Sequence, residues 1–165
     1  MKLTFMALLS LFSCCVAAET VGYRAEIVYF KAVPAKEKEA NVHYEDGYLI
    51  VKDGYILKSG DYATIKDQAV DQLINYSGKI ITPGFVDTHV HYPQITMISE
   101  YGKQLNGWLN TYTFPTEIKF RNHHYAQQQA SEFLDQLVNN GTTTALVFAT
   151  SSPASVDAFF EPAIK

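Results

Sequence analysis

The sequence predicts an α/β fold, in which a small β-rich domain precedes the first βα units of a parallel sheet or barrel. Three observations predict it. Short runs rich in Ile, Leu, Val and Tyr, two of them flanking Asp53-Gly54, fill residues 21–76. From about residue 80 the order becomes strand, long excursion, helix, strand, helix, which is the order of βα units. A composition of 47% hydrophobic and 13% aromatic residues supplies one ordinary core without the charge excess of a disordered chain. The predicted organisation is a signal-peptide-like segment at 1–18, the β-rich domain at 19–79 and the first βα units of an incomplete barrel at 80–165.

The first segment, "MKLTFMALLSLFSCCVAAE", places Lys2 before an apolar run from Leu3 to Val16, with Ala17 and Ala18 ahead of Glu19. That is the anatomy of a secretory signal cleaved after Ala18. The run is shorter than the ~20 apolar residues of a membrane span, so export without a permanent anchor is expected. Cys14 and Cys15, the only two cysteines, both lie in this segment. A chain processed at Ala18 has no disulfide, and any metal it binds must use histidine and carboxylate. The Pro-Cys-x-x-Cys element of one class of zinc deaminases is missing, which excludes that class. The net charge of −4 comes from mixed charges without a basic stripe, so no nucleic-acid partner is expected.

In the β-rich part, Asp53-Gly54 separates "GYLIV" from "YILKSGDY" and signals a tight hairpin, since both residues tolerate the positive φ it needs. The polar stretch "AVPAKEKEANVHYEDG" reads as a loop, with His43 solvated. "GKIITPGFVDTHVH" reads as a strand beginning near Ile80 and buried on both faces. Mixed helical and loop character follows, in which Trp108 packs between Leu105 and Leu109, and Glu117 is a helix N-terminal carboxylate. Ala126, Ala130, Phe133, Leu134, Leu137 and Val138 recur at three- and four-residue intervals, predicting a helix over 122–140 that Gly141 caps. His123 and His124 are adjacent, cannot share a helix face, and read as solvated. "TTTALVFAT" gives a second buried strand and "SPASVDAFFEPAIK" another helix. Two βα units cannot close an eight-stranded barrel, which takes about 250 residues. The chain therefore reads as the front part of a larger protein.

The chemistry concentrates in "DTHVHYPQ", residues 87–94. Alternate side chains of a strand share a face, so Asp87, His89 and His91 project together. Two imidazoles at that spacing can hold one divalent ion from a rigid element. In parallel α/β folds, ligands gather at the carboxyl ends of strands, where this motif lies. Asp87 either orients an imidazole or makes a structural hydrogen bond.

The stretch "TPGFVDTHVH" resembles the first barrel strand of the amidohydrolase superfamily. The fold it implies is the N-terminal part of a (β/α)8 metallo-dependent hydrolase barrel. "HYPQ", "WLNTYTFPTE", "NGTTTALVFAT" and the early "GYRAEIVYF" resemble the guanine deaminase branch, over residues 21–163. The resemblance implies that His89 and His91 are zinc ligands. It also implies that His91, Tyr92, Pro93 and Gln94 line the purine pocket, with the Gln94 amide on the purine edge, and it offers Trp108 as a wall of that pocket as the alternative to simple packing. The reaction implied is hydrolysis of guanine to xanthine and ammonia with zinc activating the attacking water, in a homo-oligomeric and usually cytosolic parent enzyme. No catalytic residue of the family falls within these 165 residues, so the isolated chain is expected to be inactive. Two alternatives stand beside this reading: another amidohydrolase acting on a ring amidine or cyclic amide, and a non-catalytic exported remnant or binding module.

Overall fold

The structure, a computed structural model, describes residues 19–164; the signal-like segment 1–18, with Cys14 and Cys15, and Lys165 lie outside the described residues. The chain divides into two compact units between Pro83 and Gly84.

The first unit is a sheet of four strands, β1 (Thr20–Phe30), β2 (Asn41–Lys52), β3 (Tyr55–Asp61) and β4 (Gln72–Ile81), with a short helix α1 (Tyr62–Ile65) before β4. The strand order is β3-β2-β1-β4. β1 runs antiparallel to β2 and parallel to β4. The Asp-Gly hairpin forms as its chemistry requires: Asp53 and Gly54 adopt φ of 54° and 77° between Lys52 and its partner Tyr55. Residues 41–47, expected in a loop, are strand, because their backbone pairs with Phe30 back to Ala25. His43 is thus a strand residue, and its Nε2 lies 2.9 Å from Glu26 Oε1 at the surface. Tyr48, Ile50 and Ile65 form the buried centre. Gly22 makes room for it, since a Cβ there would enter the Tyr48 ring.

"GKIITPGFVDTHVH" is two strands rather than one. Ile80 and Ile81 pair with Glu26 and Ile27 of β1 and complete the first sheet. The new strand begins only at Phe85. Pro83 has no N–H for a ladder and punctuates the chain between them. The break between units therefore falls four residues after the 79/80 boundary read from the sequence.

The second unit pairs β5 (Phe85–His91) in parallel with β6 (Thr142–Phe148). Between them run a 3-10 turn (Tyr92–Met97), α2 (Leu105–Trp108), a π-helical turn (Leu109–Thr113), α3 (Phe114–Glu117), a second 3-10 turn (Ile118–Arg121) and the long α4 (His123–Asn139); α5 (Pro153–Ala163) follows β6. Asn122 caps α4 by accepting from the Tyr125 N–H at 3.1 Å, and Gly141 at φ 81° lets the chain turn into β6. Ala126, Ala130 and Phe133 of α4 join Tyr92, Phe120 and Ala158 in one buried cluster. The predicted double-sided burial of the strands does not occur here. Phe85, Val86 and Leu146 are 68%, 66% and 61% exposed, because each strand has a single strand neighbour among the described residues. No helix among those residues is long and apolar enough to cross a membrane.

Candidate functional site

His89 and His91 close the carboxyl end of β5, and strand alternation sends both rings the same way. Their Nε2 atoms are 3.1 Å apart. The Phe148 ring, at the carboxyl end of β6, lies 4.5 Å from the His89 ring and 4.9 Å from the His91 ring, nearly parallel to the latter. It arrives there because His91 and Phe148 are register partners in the parallel ladder. Asp87 does not reach an imidazole: its Oδ1 accepts from the His89 backbone N–H at 3.0 Å and shapes the strand end.

His89, His91 and Gln94 line one cavity of about 540 Å³, walled also by Trp108, Glu100 and Leu137. Trp108 is half-buried, and its Nε1–H donates to the Glu100 carbonyl at 2.9 Å, which ties the wall to the segment after the 3-10 turn. Tyr92 and Pro93 are buried rather than cavity-lining. The Tyr92 ring packs edge-on against Phe120, and its hydroxyl donates to the Ser155 carbonyl on α5. Burial pushes this phenol up to about 12, so it stays protonated as a donor. The odd–even alternation that aims His91 into the cavity turns Tyr92 into the core.

Two neighbours were not legible as site residues. Phe148 looks like one more apolar residue of a buried strand until its register with His91 is known. Glu117, read as a helix N-terminal carboxylate, is instead the last residue of α3 and accepts a hydrogen bond from the Gln94 amide nitrogen at 3.3 Å. The only sequence signal for it was the "FPTE" portion of the resemblance. His123, read as solvated, has its Nε2 3.0 Å from Glu161 Oε1 and takes no part in the cavity.

The donor set suits a divalent ion of the zinc type in kind and in spacing. Two bonds of about 2.05 Å at a tetrahedral angle put their donor atoms about 3.3 Å apart, close to the 3.1 Å between the two imidazole nitrogens. That distance also suits one ring N–H donating to the other's lone pair; both arrangements require the nitrogens to face one point. No group of three or more His, Cys, Asp or Glu placed to hold a metal occurs among the described residues. A catalytic zinc usually has three protein ligands, and the described residues bring two imidazoles together.

Residues 80–165, just over half the sequence, match the Amidohydrolase family. The chain belongs to the amidohydrolase family. This amidohydrolase is 50% identical over 121 residues to the guanine deaminase of Escherichia coli (strain K12), a match covering 72% of this chain and 28% of that protein. It superposes on the guanine deaminase from Bradyrhizobium japonicum with a TM-score of 0.80 at 36% identity, over 88% of this chain and 33% of that one. The guanine deaminase from C. acetobutylicum, whose structure has guanine bound in the active site, superposes at 0.71 and 29% identity with the same coverage. The α/β architecture expected from the sequence is the architecture of these structures. The chain spans about a third of the length of the guanine deaminases it matches.

Proposed function

We propose that this amidohydrolase contributes the first metal ligands and a purine-contacting amide to a zinc-dependent guanine deaminase. The observation that carries the reading is the convergence of His89, His91 and Gln94 on one cavity at a strand's carboxyl end. The relatives' activity on guanine supplies the substrate. His89 and His91 would hold the ion, and Phe148, packed against both, limits rotation of their rings. Zinc bound there supplies the Lewis acidity that activates water at neutral pH. Gln94 orients the base by hydrogen bonding to its edge. Tyr92 and Pro93 act from beneath, fixing the chain that carries His91 and Gln94. Trp108 and Leu137 give the cavity apolar wall that limits water. In the net reaction, water adds at the carbon bearing the exocyclic amine, the C–N bond breaks, and xanthine and ammonia leave.

A chimera tests the reading directly. Residues 19–165 replace the matching segment of the Escherichia coli guanine deaminase, and guanine loss and ammonia release are measured after purification from a host lacking that enzyme. The chimera is expected to deaminate guanine, and His91→Ala within it to abolish turnover. A folded chimera that binds zinc yet leaves guanine intact would sink the proposal. We further propose export, supported by the apolar run before Ala17 and Ala18; fractionation of cells expressing the tagged protein checks it, and recovery wholly in the cytosol contradicts it.

A further inference from the structure

Gln94 stands between the cavity and Glu117, and both side chains are half-buried. An amide has two faces of opposite polarity that are nearly alike in shape, so an unrestrained glutamine offers a ligand either a donor or an acceptor. Glu117 removes that freedom. A carboxylate only accepts, so the end of the amide 3.3 Å from Glu117 Oε1 must be the nitrogen. The oxygen is then the end left to the cavity. Glu117 sits at the last residue of α3, and Gln94 in the 3-10 turn directly after the histidine strand. The contact therefore also anchors the excursion between β5 and α4 to the element that carries the imidazoles.

We infer that Glu117 is a positioning residue that fixes the polarity of the Gln94 amide, so that the cavity selects a heterocycle presenting an N–H donor. The inference rests on the purine reading above, since guanine carries N–H donors on its ring and its exocyclic amine. It adds which end of the amide meets the base and which residue decides this. Glu117 touches no ligand and acts only through Gln94. A reversed amide would set its N–H against a ligand N–H, losing one hydrogen bond and adding a repulsion, which corresponds to about a tenfold loss of binding.

Two measurements decide it. In the full chain, 15N spectra of the Gln94 side-chain amide are compared between the wild type and Glu117→Gln. The wild-type N–H pair is expected to be widely split and slow to exchange, and the variant to move toward free-amide values. A Gln94 amide already at free-amide values in the wild type overturns the inference, whatever the protein does with guanine. In the chimera, Glu117→Gln is expected to raise KM for guanine about tenfold with kcat within twofold. Gln94→Ala should do the same, and the double variant should be no worse than Gln94→Ala alone. Losses that multiply in the double variant overturn the inference, because Glu117 would then act independently of the amide. A wild-type chimera inactive on guanine counts against the purine reading, while the amide spectra still decide the role of Glu117.

Discussion

The sheet of β1–β4 and the β5–β6 pair solve the same problem differently. In the first unit two strands, β1 and β2, have a strand on either side, and the buried centre is small: Tyr48, Ile50 and Ile65. In the second unit no strand has two neighbours among the described residues, and the interior is an aromatic cluster between helices, in which the Tyr92 ring lies beside both Phe120 and Phe133. The first unit is held chiefly by a backbone ladder, the second chiefly by side-chain packing. The proposed site lies in the second. Strand ends whose side chains alternate between cavity and core can be locked from below, as Tyr92 locks the step between His91 and Gln94.

The largest test of that contrast is Phe120→Ala. The fully buried ring meets both Tyr92 and Tyr125, so its loss should cost about 3–5 kcal/mol in urea unfolding followed by a probe in the second unit. A loss below about 1 kcal/mol would show that the cluster does not hold this unit. Next, His89→Ala or His91→Ala should lower zinc affinity about a hundredfold or more by equilibrium dialysis. Retained affinity would mean that the ion binds elsewhere. Phe148→Ala should weaken it by roughly tenfold by freeing both rings, and an unchanged affinity would remove Phe148 from the site. In the first unit, Gly22→Ala forces a Cβ into the Tyr48 ring and should cost roughly 1–3 kcal/mol by overpacking; a neutral outcome would mean that the Tyr48 pocket yields easily.

The smallest effect lies on the first unit's surface. Arg24 donates to both carboxylate oxygens of Asp46 at 2.7 Å, and this pairing holds the Asp46 carboxyl below its ordinary value. A depressed carboxyl contributes stability above its unfolded pKa of about 3.9 and loses it as pH falls through the lower folded value. The melting temperature of Asp46→Asn should therefore lie slightly below wild type at neutral pH, with the gap closing under acid conditions. Both side chains are exposed enough for solvent to screen most of the pairing. A gap that widens on acidification would contradict the assignment.

What could be read in advance follows the range of the physics involved. The Asp53-Gly54 hairpin and α4 were legible because turn chemistry and helical periodicity involve neighbours a few residues apart. The shared face of His89 and His91 was legible because strand alternation is equally local. The limits of β4 and β5 were not, since a long apolar run does not say which partner takes each half, and Ile80 and Ile81 went to β1. The burial of Tyr92 was not legible for a related reason. "HYPQ" reads as one lining segment, although alternation at a strand end divides it between cavity and core.

By itself, the sequence determined the two kinds of element, the paired imidazoles and the family, because each rests on short-range pattern or on an extended run of matching residues. Only the tertiary structure decided that Phe148 stacks on the histidines and that Glu117 holds Gln94. Both depend on which distant segments pack together, and that is set by the summed burial and pairing of the whole unit rather than by any local stretch.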